Sequence, residues 1–413
     1  MHSKLPIGIQ DFAKLRTEGY KYIDKSENIY RLAKSGCYYF LSRPRRFGKS
    51  LFLSTLEAYF LGRKDLFSGL EIDSMEKDWI EYPVLHLDLN TQKYENLDAL
   101  DYILNDFLQK EEVKYGLTSQ NKYYGPRFSA VIQKAYEHSG NRVVILVDEY
   151  DKPVLQAIGN DALQDEYRST LKSFYSALKS CDRYIQFAFL TGVTKFGKVS
   201  VFSDLNHLND ISMDPRYYDI CGLTEKEIRS NLSGEVEDLA RNIGIQPEDA
   251  YAMLKENYDG YHFSEDDTPG IYNPFSILNA LDKKKLGSYW LETGTPTYLV
   301  ELLKKHNYNL SDLEKEEPTA DELNSIDSDS TNPIPVIYQS GYLTIKGYDK
   351  EFSLYKLGYP NKEVEEGFVK FLIPYYTNVE KTKSGFEISQ FVLCLRNKDI
   401  EGFMVRLQAF LSN

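Results

Sequence analysis

Short unbroken apolar runs alternate along the first half of the chain with longer stretches at helical spacing. Residues 38–41 form the first run. A polar loop follows, and then Leu51, Phe52, Thr55, Leu56 and Tyr59 fall at the spacing of a helix over 49–60. Residues 82–89 predict a strand. Residues 95–116 predict a helix with Leu97, Leu100, Ile103, Leu104, Phe107 and Leu108 on its apolar face. A helix over 128–138 leads into 143–147, Val-Val-Ile-Leu-Val. Five apolar residues in succession predict a strand buried on both faces, the pattern of the middle of a parallel sheet. A helix over 161–178 and a strand over 184–190 complete the series. The fold class is α/β: a parallel sheet with helices on both faces.

The pattern then changes. Residues 224–282 read as all-helical, opened by Thr224 and Glu227 at capping-box spacing. One helix ends at Gly260, and another starts after Tyr272-Asn273-Pro274. Small helices are expected near 289–291 and 298–303. Residues 311–330 hold eight acids and one Lys, the composition of a solvated linker. A helix end and strand over 336–345, with a hairpin partner over 351–357, suggest a winged-helix-like domain. Helices near 363–376 and 386–411 close the chain.

The chemistry concentrates at two places. The first is Arg43-Pro44-Arg45-Arg46-Phe47-Gly48-Lys49-Ser50, between the first strand and its helix. Strand, loop, Gly-Lys-Ser and helix form a phosphate-binding loop. Backbone N–H groups at a helix start hold anionic oxygens, and the helix dipole assists them. Arg45, Arg46, Phe47, Gly48, Lys49, Ser50 and Leu51 are therefore the candidate phosphate cradle. Lys49 would reach the β- and γ-phosphates, and Ser50 would place its hydroxyl on Mg²⁺. Arg43 stands where such loops usually open with Gly.

The second place is Asp148-Glu149-Tyr150-Asp151, at the exit of the apolar run 143–147. Ligands of open α/β sheets bind at such carboxyl ends. Asp148 is expected to hold Mg²⁺ through water, and Glu149 to orient the attacking water. The loop and the acids are expected on neighbouring strands. Thr191, at the end of the strand beside the acids, is the first candidate for sensing the γ-phosphate, and Thr194 the second. A turn-forming Thr needs no such role. Phe12, Arg16 and Tyr22 either form an adenine pocket or brace the first strand. Asp88 and Asn90 support the site or form a turn. Arg216 stabilises transition-state charge, in cis or from a second subunit, or is simply solvated. Tyr261 and His262 close over the nucleotide or are structural.

These assignments divide the chain into an N-terminal base-binding segment (1–37), an ATPase core (38–222), a helical lid (223–282), a winged-helix-like domain (283–380) and a C-terminal helical segment (381–413). The expected activity is Mg²⁺-dependent nucleoside triphosphate binding and hydrolysis, used as a nucleotide-driven switch, with slow turnover without a partner. An ATP-holding regulatory module and a small-molecule kinase are the other readings.

Charge sharpens the picture. The net charge is −13, which argues against broad affinity for nucleic acid or anionic membranes. Residues 1–60 nevertheless carry eleven Lys and Arg against five acids, a net of +6 around the phosphate loop. The four cysteines are scattered, with no metal-ligand spacing, which fits a reducing compartment. No apolar run is long enough to span a bilayer, so a cytoplasmic protein is expected. The 33 Tyr and 22 Phe are read chiefly as packing residues.

Taken together, these stretches resemble a bacterial family of AAA-ATPase-like proteins. The likeness lies in Leu5-Pro6-Ile7-Gly8, Tyr22-Ile23-Asp24-Lys25, the run Arg43 to Ser50, Val147 to Pro153, Leu190 to Lys195, Gln339 to Ile345 and Tyr359 to Val364. It implies a P-loop ATPase of the archaeal-type and signal-transducing group, with ATP as the nucleotide and Arg43 as a usual residue of the loop. It also implies a C-terminal PD-(D/E)XK nuclease-like domain in a longer protein. The one Glu-x-Lys here, Glu112-Val113-Lys114, sits in a polar helical stretch, so that domain is expected to be missing from these residues. Expected partners are the nucleotide, that nuclease-like domain, and a protein partner or a second copy of the chain. Direct nucleic-acid binding by these residues is not expected.

Overall fold

The structure is a computed structural model that describes residues 4–118, 121–195, 201–202, 205, 207–292, 299, 302–303, 317–324, 332–368, 393–394 and 399–411. Its centre is a five-stranded sheet built from β1 (Tyr38–Ser42), β2 (Val84–Asp88), β3 (Val143–Asp148), β4 (Ile185–Gly192) and β5 (Asn209–Asp210). All pairings are parallel, in the order β2-β3-β4-β1-β5. Every residue of β1 and β3 is buried. Continuous burial is the physical reason for their unbroken apolar sequences.

Adjacent strand residues point to opposite faces, and the aromatics of β1 show what covers each. Tyr39 meets Phe187 and Phe189, which in turn meet Phe60 and Phe52 of the helix Lys49–Phe60. Phe40 meets Tyr150 and Phe202, and Phe202 meets Tyr175 of the helix Asp161–Ser180. Helices therefore lie on both faces, as expected. On the second face Phe174 stacks on Phe128 of the helix Tyr124–Ser139, with ring centres 4.4 Å apart.

One expectation is corrected. The loop strand and the acidic strand are not neighbours, because β4 pairs with β1 on one side and β3 on the other. An apolar run shows that a strand is buried but carries no information about which strand lies beside it.

We label the first helices α1 (Phe12–Thr17), α2 (Ser26–Ser35) and α3 (Lys49–Phe60). Beyond the sheet, a second apolar cluster is built from the helices Glu225–Asn231, Ser233–Ile243, Pro247–Tyr258 and Pro274–Lys283. Thr224 and Glu227 form the capping box that their spacing predicts. The segment is not wholly helical, since β6 (Leu223–Thr224) and β7 (Ile271–Tyr272) pair antiparallel. Leu5, Ile7 and Ile23 pack against this cluster, so the N-terminal residues bridge it to the sheet.

Farther along, the helix Ile334–Gln339 precedes the hairpin of β8 (Thr344–Asp349) and β9 (Leu354–Gly358). This unit shares the main core, where Ile334, Ile337 and Leu343 are buried. Short helices also occupy Tyr289–Glu292 and Ala320–Asn324, and Ile400–Leu411 is helical. The rest of the expected linker, and parts of the expected helices near 298–303, 363–376 and 386–411, lie outside the described residues. No helix among the described residues is long and apolar enough to cross a membrane.

Candidate nucleotide site

β1 delivers the chain into a turn that needs left-handed backbone. Arg46 has φ 66° and Gly48 φ 96°. Glycine takes such a φ without a Cβ penalty, and α3 starts directly behind it at Lys49. The first N–H groups of an α-helix have no partner inside the helix, so this turn presents them at the sheet edge. Lys49 Nζ donates to the carbonyls of Arg43 at 2.9 Å and Pro44 at 3.2 Å, folding the ammonium back across its own loop.

The acids meet the loop directly. Ser50 Oγ donates to Asp148 Oδ2 at 2.5 Å, and Thr191 Oγ1 donates to Asp148 Oδ1 at 2.5 Å. Thr191 reaches Asp148 because β4 separates β1 from β3. Its backbone stands opposite Leu41, one step beyond the Leu190–Val147 pair. Glu149 follows with φ 51°, an uncommon conformation for a residue with a side chain. Burial pushes its carboxyl above the ordinary carboxylate range; Asp148 and Asp151 add to this, and the Lys49 ammonium opposes it.

A cavity of about 420 Å³ opens over Lys49, Ser50 and Glu149; Asp148 lies behind Ser50, off its wall. Arg45, Arg46, Phe47, Gly48, Lys49, Ser50 and Leu51 all line it, as does Glu149. Apolar wall comes from Ile7, Ile23, Leu223, Leu232, Phe275 and Leu278, joining the N-terminal residues, the loop and the helical cluster around one space. Tyr22 is on this wall. Phe12 and Arg16 are not, which corrects their expected place in a base pocket. Phe12 is buried between Tyr22 and Phe67, with ring centres 5.1 and 4.9 Å away. Arg16 donates to the carbonyls of Leu66 and Ser68, both at 2.8 Å. Both residues brace α1 against the segment after α3.

Thr191 is corrected too. It is fully buried and off the cavity wall, and its hydroxyl orients Asp148 instead of facing a phosphate. Thr194 is committed to Asp151 through its N–H and its hydroxyl. Arg216 is an exposed partner of Asp214. Tyr261 packs edge-on against Phe47, and the His262 N–H donates to Thr344. Asp88 caps a turn through the Asn90 N–H, while Asn90 lines the cavity.

Residues 6–202 match the family model described as Predicted AAA-ATPase. A protein of Azotobacter chroococcum mcd 1, described as an uncharacterized protein in the vnfD 5' region, is 37% identical over 377 residues. The match covers 90% of this chain and 70% of that protein. The chain belongs to the predicted AAA-ATPase family. The matched region includes the loop, α3 and the acids at the end of β3.

The sequence singled out Arg43 without showing what it does, and gave no role to Lys21, Lys25, Lys152 or Trp290. Arg43 is buried behind the loop, where its guanidinium donates to the carbonyls of Ser42, Ser212 and Tyr217 and lies 4.0 Å from the Phe263 ring centre. It ties the loop to the segment after β5, which accounts for an Arg where such loops usually carry Gly. Lys21 and Lys25 are on the cavity wall and pair with Glu235 and Glu227, at 2.7 and 2.5 Å, fastening the N-terminal residues to the helical cluster. Lys152 is on the wall as well. Trp290 Nε1 donates to the Arg45 carbonyl at 3.0 Å, so the loop is also held from the C-terminal side.

Proposed function

We propose that this family member is a Mg²⁺-dependent ATPase whose nucleotide state sets how its parts pack. The observation that carries the reading is the 2.5 Å contact of Ser50 with Asp148, with Lys49 and Glu149 opening on the same cavity. The loop amides and Lys49 bind the triphosphate. Glu149 holds the attacking water by accepting its hydrogen bond. Phosphoryl transfer needs mainly positioning and electrostatic stabilisation, and a buried wall strengthens both.

The donor set suits Mg²⁺. Ser50 Oγ and the Asp148 carboxylate are hard oxygen ligands, and among the described residues there is no cage of three or more His, Cys, Asp or Glu. Mg²⁺ ordinarily takes one or two protein oxygens and fills its shell with water and phosphate. When bound it would neutralise phosphate charge beside Lys49.

Two features favour ATP over GTP. The wall away from the loop offers apolar surface from Ile7, Ile23, Leu223, Phe275 and Leu278, and Glu149 is the single carboxylate among the described lining residues. Guanine presents N–H donors that a carboxylate accepts best, whereas Glu149 lies by the phosphate end. Tyr22 and Ile23 of the segment 1–37 would hold the base. The helical unit 223–282 would act as the lid, linked to that segment by the Lys21 and Lys25 ion pairs. The unit 283–380, winged-helix-like in its helix and hairpin, would report the state of the loop through Trp290 to a protein partner, a second copy or the nuclease-like domain of a longer protein.

Phosphate release by wild type, Lys49→Ala and Glu149→Gln tests the reading. Lys49→Ala should lose ATP binding. Glu149→Gln should bind ATP and turn over at least about 100-fold more slowly. Equal release by all three would overturn it.

A further inference from the structure

The lysines on the cavity wall are of two kinds. Lys21 and Lys25 are ion-paired with lid acids. Lys49 and Lys152 are held by neutral oxygens. Lys49 Nζ donates to two loop carbonyls, and Lys152 Nζ donates to the Asn90 carbonyl at 2.8 Å and to its side-chain oxygen. Among the described residues neither of this second kind has a carboxylate within ion-pair distance. A lysine held by neutral oxygens has no counter-ion there and can pair with an anion that enters the cavity.

The position of Lys152 is set from two strands. It opens the helix Lys152–Gln156 directly after the acids of β3, and its N–H donates to the Glu149 carbonyl at 3.1 Å. Its anchor, Asn90, sits in the turn Leu89–Thr91 after β2, fixed by Asp88 accepting the Asn90 N–H at 2.7 Å. Asp88 and Asp148 are register partners. Lys152 is thus carried on the carboxyl edge of the sheet, on the same wall as Glu149, Lys49 and Arg45. Burial lowers the pKa of its ammonium, Glu149 opposes that, and the Arg45 charge adds to it. The local field therefore has room for an anion.

We propose that Lys152 is a second phosphate lysine, supplied in cis, whose ammonium contacts the terminal phosphoryl group of the nucleotide and stabilises its charge in the transition state. This rests on the ATPase reading and extends it. In that step the water oxygen forms a bond to the γ-phosphorus. The bond from that phosphorus to the bridging oxygen breaks, and the electron pair stays on the ADP β-phosphate. The water proton passes to solvent or to the released phosphate. Charge spreads over the equatorial oxygens, where Lys152 and Lys49 would sit on different sides. The chain would then need no arginine from a second copy, in agreement with Arg216 being engaged by Asp214.

The test uses the full chain as wild type, Lys152→Ala, Lys152→Arg and Asn90→Ala. Single-turnover hydrolysis is measured over a range of protein concentrations, together with affinities for ADP and for ADP with aluminium fluoride. Lys152→Ala should slow turnover about 100-fold, in line with removal of one transition-state donor, and weaken the fluoride complex by a similar factor while ADP affinity is kept. Lys152→Arg should recover much of the loss, and Asn90→Ala should fall between. The wild-type rate per molecule should not change with protein concentration. Wild-type turnover in Lys152→Ala, or a rate per molecule that climbs with concentration, would overturn the inference and leave the ATPase reading standing. No turnover in the wild type would overturn both. If Lys152→Ala does not fold, Lys152→Arg and Asn90→Ala decide: an unchanged fluoride affinity in both overturns the proposal.

Discussion

Glu149 is held at φ 51° one residue beyond Asp148. A backbone strain of this kind on a side chain facing the cavity ties local geometry to chemistry. Its carboxyl is pushed up by burial, with Asp148 and Asp151 adding and Lys49 opposing. A raised carboxyl stays protonated to higher pH, and a protonated Glu149 accepts water poorly. Turnover should therefore fall as the pH drops through a midpoint above the ordinary 4.5 of a glutamate. A profile of kcat against pH checks this, and a limb at or below the ordinary value contradicts it. Asp148→Asn keeps the shape but removes the charge that faces Ser50 and Thr191. It should bind nucleotide without Mg²⁺ about as well as wild type and lose the gain in affinity that Mg²⁺ confers, as read by calorimetry. At this scale the motifs were informative. Ser50 meets Asp148, and Lys49 and Glu149 line one cavity with Ser50. Phe12, Arg16 and Thr191 were misplaced because an aromatic, a cation and a hydroxyl are equally at home in a core, a brace or a site.

Among the elements, Glu76 shows how the N-terminal helices are locked to the loop helix. It accepts from Tyr59 of α3 at 2.5 Å and from Lys34 of α2 at 2.8 Å, and from the N–H groups of Lys77 and Asp78 at 2.9 and 3.1 Å. Burial opposes its charge, but the Lys34 ammonium, the Tyr59 hydroxyl and the two amides outweigh it and hold the pKa at about 2. For a carboxyl depressed in the folded state, the stabilisation is present above the unfolded value and lost as pH falls toward the folded one. Wild type should thus lose stability between about pH 4.5 and 2. Glu76→Gln should be less stable at pH 7 by about 2 kcal/mol, discounted because Lys34 is partly exposed. Its denaturation midpoint should also depend less on pH over that window. Strand and helix identities at this scale follow from apolar spacing. The β6–β7 pair did not, since two residues are too few to show a period.

The whole molecule meets at the phosphate loop. Lys49 faces the cavity, Arg43 anchors the back, and Trp290 and Gly341 close the C-terminal side. Gly341 has φ 90°, and a Cβ there would lie 2.6 Å from the Pro44 Cβ, so only glycine allows this approach. Gly341→Ala should lower the thermal midpoint and weaken ATP binding together, since the strain is relieved only by moving the loop. The chain has two tryptophans, of which Trp79 packs against Tyr59 and Phe67, away from the cavity wall. ATP should change the emission of wild type and of Trp79→Phe, and the change should vanish in Trp290→Phe. A signal that survives in Trp290→Phe would show that the C-terminal unit does not sense the loop.

The amino-acid order by itself determined the buried strands, the helix behind Gly48, and the two motifs on which the proposed chemistry rests. Those signals are local: a period, a glycine at a left-handed turn, an acid at the end of an apolar run. The tertiary structure alone decided that β4 lies between the loop strand and the acidic strand, that Arg43 turns inward, and that Lys152 lines the same cavity as Lys49 while Phe12 and Arg16 do not. Each of these depends on which distant segments come to share a surface, and burial, the common cause, looks the same in sequence whatever the neighbour.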